Sequence, residues 1–238
     1  MKAIIDILLL IIIALCTWSG YKRGLVGGVA SLLAIVIALL GGSIVAAAYS
    51  HEVVPAFEPF VDGYVDSNKM RTAVLEKMGY GESDLSLEDI LASDTSLRHD
   101  YAYETLREVG MYSQRAEEMA SEAVALADES GISMTDCVVS VLCDTGTYLI
   151  AVAVGFLLLL ILMVAVANMF NLSFRLPNME NVDEIGGAVL GFVEGFVYCV
   201  LICWVLSYMG LIIGKDTMNG TTLGRFFLLF DFITAGLI

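Results

Sequence analysis

Glu194 is the residue whose surroundings most demand a chemical explanation. It interrupts an apolar run between Ile185 and Ile213, where a carboxylate is costly in lipid unless it is paired or turned into a helix bundle. The other groups able to do chemistry are scattered. Asp6 stands alone near one end of the first apolar run, and the two histidines, His51 and His99, both fall in a polar central stretch. An aspartyl intramembrane protease needs two membrane-embedded aspartates, and a serine type needs a Ser/His arrangement; the sequence offers neither. It also has no P-loop and no Gly-x-Gly-x-x-Gly phosphate cradle, and neither histidine sits at ligand spacing from a cysteine. The sequence therefore predicts no catalytic, cofactor-binding or metal-ligating residue, and a protein that is not an enzyme.

The five cysteines fit the same reading. Cys16, Cys199 and Cys203 lie in apolar runs, where a small soft side chain is an ordinary packing residue. Cys137 and Cys143 are six apart in a segment that reads as helix, so their α-carbons stand about 9 Å apart, beyond disulfide reach. All five are expected to be reduced.

Composition names the solvent these residues face. The 238 residues are 58% hydrophobic and only 16% charged, with mean hydropathy +0.81, against roughly 25% charged for a soluble domain. An integral membrane protein is expected. The net charge of −15 is concentrated: Ser50 to Gly146 carries 20 acids against 6 bases. An acidic insert without clustered Lys/Arg argues against nucleic acid as a partner.

Four apolar runs can span a bilayer. Ala3 to Ser19 resembles a signal peptide, but its single Lys, the lack of an Ala-x-Ala site and the apolar run that follows mark it as a retained first span. Gly20-Tyr21-Lys22-Arg23-Gly24 reads as a tight turn into the second span, Leu25 to Ala48. Tyr148 to Phe170 is the third, continuous with a helix starting outside the bilayer near Ser133, and Gly186 to Ile213 is the fourth. Between the last two, Asn171 to Glu184 reads as a short polar loop in which Pro177 bars helix continuation. Small residues recur at every fourth position in two spans: Ala30, Ala34, Ala38, Gly42 and Ala46, then Gly187, Gly191, Gly195, Cys199, Cys203 and Ser207. Such a stripe lets a neighbouring helix approach backbone to backbone, although alanine-rich membrane helices also produce stripes by chance.

The architecture expected is all-α: transmembrane hairpins at 1–49 and 147–213, an acidic helical insert at 50–146, and an interfacial tail at 214–238. In the insert, Val54, Phe57, Val61, Tyr64 and Val65 recur at helical steps, as do Leu97, Tyr101, Leu106, Val109, Ala116, Met119, Ala120 and Ala123. Breaks are expected at Gly79-Tyr80-Gly81 and Ser130-Gly131, and helix starts where Ser86 precedes Asp89 and Ser133 precedes Asp136. The tail after Thr222 is short for a fifth span, so a surface-lying helix is expected. Lys22 and Arg23 crowd the shortest loop, which puts the insert and both termini outside the cytoplasm; Lys2, Lys215 and Arg225 pull the other way.

Gly20-x-x-Arg23-Gly24 and Gly191-x-x-Glu194-Gly195 share one pattern with charges of opposite sign. Two arrangements satisfy them: the hairpins pack side by side and the charges pair, or Arg23 anchors at anionic headgroups while Glu194 bonds elsewhere or stays protonated.

Asp6-Ile7, Gly20-x-x-Arg23-Gly24 followed by Ser31-Leu32, Leu176-Pro177, and Gly186-Gly187-x-x-Leu190-Gly191-x-x-Glu194-Gly195 together resemble the colicin V production protein family of bacterial inner-membrane proteins. The resemblance covers residues 1 to 48 and about 148 to 238 and leaves the insert unmatched. Glu194 stands where many members have Arg, similar to a variant in Gram-positive relatives. The resemblance implies a multi-pass protein of the cell membrane linked to peptide-toxin production or export, with Asp6, Gly20, Arg23, Gly24, Pro177, Gly187, Gly191, Glu194 and Gly195 as structural motif residues and no catalytic residues to carry over. The function expected is that of a non-enzymatic interaction component of toxin export or envelope assembly. Its partners would be the lipid bilayer, an envelope or membrane protein through the acidic insert, and possible further copies of itself. The alternative is an oligomeric channel or transporter subunit for a small solute, disfavoured because transport normally leaves more polar residues at midplane depth.

Overall fold

The structure, a computed structural model, describes residues 2–81, 86–169, 180–208 and 220–230. These form eight helices with no strand among them: α1 (Lys2–Val65), α2 (Asn68–Lys77), α3 (Leu87–Ser93), α4 (Ser96–Val109), α5 (Ser113–Ser130), α6 (Met134–Met169), α7 (Glu180–Tyr208) and α8 (Thr222–Leu228). Three of them, α1, α6 and α7, are long and apolar enough to cross a membrane. Pro177 and the rest of the predicted polar loop up to residue 179 lie outside the described residues, as do 209–213 at the end of the predicted fourth span and 214–219 and 231–238 of the tail.

Two sequence expectations are corrected. The five-residue turn at Gly20–Gly24 is helical through Arg23, and only Gly24 leaves helical geometry, at φ 76° and ψ 178°. That region of backbone space is open in practice to glycine alone, so a single residue breaks α1 where a five-residue turn was expected. The helix bearing Glu194 starts at Glu180, not Gly186, because Asp183 and Glu184 place carboxylates at the positive end of the helix dipole.

The chain divides into two compact units. The first comprises Met1–Tyr49, Leu149–Val205 and Gly220–Ile238. Its packing is set by small residues, as the stripes predict: Gly187, Gly191, Gly195, Cys199 and Cys203 are all buried, as are Ala38, Gly42 and Ala46, with Ala34 half-buried and Ala30 exposed. A Cβ on Gly42 would lie 2.8 Å from the Phe156 nitrogen, so α1 and α6 meet backbone to backbone there. Short α8 buries Gly224 and Phe227, and Phe227 and Phe230 meet Phe196 of α7 edge-on at 5.2 and 4.9 Å. The tail helix thus packs on α7 through the quadrupole-favoured aromatic geometry.

The second unit comprises Ser50–Tyr148 and Leu206–Asn219. Seven of the eight apolar residues picked out between Leu97 and Ala123 are buried, Leu97 being half-buried, but they belong to two helices rather than one. Gly110, at φ 105°, caps α4 in the left-handed conformation, which glycine adopts without a steric penalty, and α5 begins three residues later. Ser86 and Ser133 cap α3 and α6, each accepting from an amide three residues on and donating to the aspartate there. The Ser96 amide and hydroxyl hold the Asp94 carboxyl below its usual range. Burial pushes the Tyr101 phenol up, where it shares a 3.1 Å hydrogen bond with Thr135. The insert is therefore a packed helical body with its own core.

Candidate functional site

Asp6, Asp183, Glu184 and Glu194 of the first unit each hold a definable partner, and Glu194 sits at the centre. Its Oε2 accepts from Arg23 Nη2 at 2.7 Å and from Ser31 Oγ at 2.9 Å, and its Oε1 accepts from Tyr198 OH at 3.4 Å. The Glu194 side chain is 7% exposed and that of Arg23 is 36% exposed. The paired arrangement is thus the one adopted. A carboxylate buried this far would be prohibitively placed alone; three donors from three positions convert it into a clamp.

The glycines explain how the charges meet. Gly20 stands against Gly187 and Gly191, and Gly191 against Gly20 and the Cys16 backbone, while Gly195 faces Ile13 and Cys16. The two Gly-x-x-charge-Gly segments therefore face each other, and the missing side chains bring Arg23 within reach of Glu194. The contact order along α7 is informative. As the chain advances from Leu9 to Gly24 its partners fall from Cys199 through Gly195 and Gly191 to Gly187. Beyond the break, Leu25 meets Gly186, Gly28 meets Leu190 and Ser31 meets Glu194, so the partners rise.

Asp183 and Asp6 serve helix ends. Asp183, 3% exposed, accepts the Leu25 amide at 2.8 Å, so a side chain from α7 satisfies the first donor of the α1 arm that starts after Gly24. A Cβ on Gly24 would collide with that carboxylate, a second demand for glycine beyond the backbone angle. Asp6 accepts from the Leu223 amide at 3.1 Å and the Thr222 amide at 3.4 Å, capping α8, whose own Thr221 makes no side-chain cap bond. Tyr21 donates to Glu184 at 2.6 Å, and the Lys22 ammonium lies 5.1 Å over the exposed Trp18 ring, an aromatic and basic group suited to a membrane–water boundary.

A model of the colicin V production protein family matches residues 5–75 and 112–228. The chain belongs to that family. No curated protein and no solved structure matches it. The match contains every residue of the glycine crossing, the ion pair and both trans caps. It also reaches further than the resemblance read from the sequence: residues 50–75 and 112–146 of the insert fall inside it, and 76–111 are the part of the insert left over. The family-matched part of the insert thus includes the end of α1, most of α2, α5 and the start of α6, whereas α3 and α4 lie in the added segment.

Asp183, Ser31 and Tyr198 are the members of this site whose roles sequence reasoning missed. Ser31 stands eight residues beyond Arg23, and Asp183 sat in a stretch read as loop. The signal available was the register itself: Asp183 precedes Gly187, Gly191 and Glu194 at near-helical spacing. The trans cap at Asp6 predicts that Asp6→Ala loosens α8, costing about 1 kcal/mol; limited proteolysis should then cut faster near residue 220, with the rest of the chain unaffected.

Proposed function

We propose that this family member is a four-span bacterial inner-membrane protein that works without catalysis, as an interaction component in peptide-toxin production or export or in envelope assembly, its helical insert docking another protein. The observation that carries this reading is the engagement of Glu194. The carboxylate buried among the apolar helices is already held by Arg23, Ser31 and Tyr198, so it closes a helix crossing and is not left facing a pathway for a moving ion or proton. The insert, with a core of its own, supplies the polar surface that such a role needs. The reversal of contact order at Gly24 supports counting α1 as two antiparallel spans, which makes four with α6 and α7.

Purified protein reconstituted into liposomes is expected to give no solute flux above empty vesicles; sustained, solute-selective flux would replace this reading with that of a channel or transporter subunit. The insert and both termini are placed outside the cytoplasm, the side opposite Lys22 and Arg23. A cysteine at Ser83 should react with a membrane-impermeant thiol reagent in whole cells, and reaction only after lysis would invert the topology.

A further inference from the structure

We draw no further inference here: the strongest candidate, the cleft of the second unit between the end of α1, α2, α3 and the start of α6, rimmed by Asp62, Asp66, Glu88 and Asp136, is an acidic cluster whose polar side chains are all exposed or half-buried, and nothing in the structure points to what would occupy it.

Discussion

Gly191→Leu is expected to leave little or no folded protein in the membrane, while Leu33→Ala leaves yield and Tm close to wild type. A Cβ at Gly191 lies 2.9 Å from the Gly20 Cα and 3.1 Å from the Cys16 carbonyl carbon, and one at Gly20 lies 2.6 Å from the Gly191 Cα. Every neighbour in that set is backbone, so no side chain can rotate away and the helices themselves must part. Overpacking an ordinary core costs about 1–3 kcal/mol. Here the separation also pulls Arg23 from Glu194, adding the cost of an unpaired buried charge, so the total exceeds that range. Leu33 is 58% exposed, and its truncation falls within the roughly 0.5 kcal/mol typical of surface changes. Ala34→Leu should lie between them, because Ala34 is half-buried on its stripe. The comparison is made on membrane yield and on Tm in detergent; a Gly191→Leu chain as well tolerated as the off-stripe Leu33→Ala chain would show that the stripe is incidental.

The parts of this molecule that were legible in its sequence are those set by local or periodic rules. The stripe from Gly187 to Cys203 is a repeat of four, and the structure buries every member. The Ser86 and Ser133 caps follow from a serine three residues before an acid. The break at Gly24 is different, because a run of Gly-Tyr-Lys-Arg-Gly reads as a loop by composition, whereas the helix persists to Arg23 and one φ value does the turning. What stabilises that break is Asp183, 158 residues away along the chain, and no local rule pairs residues across such a distance. The same holds for Asp6 and α8. Gly110 was hidden for another reason: the apolar spacing runs on through it in phase, so periodicity alone reads one helix where the chain folds two.

The ion pair was legible as a choice between two arrangements, and charge reversal is the experiment that measures what the observed one contributes. Arg23→Glu places a second carboxylate beside Glu194; Glu194→Arg leaves two guanidinium groups together and removes the acceptor of Ser31 and Tyr198. Breaking a buried pair on one side costs about 3–5 kcal/mol, and because Arg23 keeps 36% exposure solvent screening brings the expectation to roughly 2–3 kcal/mol for either single change. The double reversal, Arg23→Glu with Glu194→Arg, should recover part of that loss and not all of it. Two features are polar in a fixed sense. Arg23 ends the first arm of α1, where a cation suits the helix dipole and a carboxylate does not, and Ser31 and Tyr198 are aimed as donors at position 194. The predicted signature is therefore a coupling energy on the order of 1 kcal/mol or more between two sites that contact each other, read from Tm and membrane yield of the four chains. Strict additivity of the two single defects would mean that Arg23 contributes through the headgroups alone and that Ser31 and Tyr198 suffice to hold Glu194.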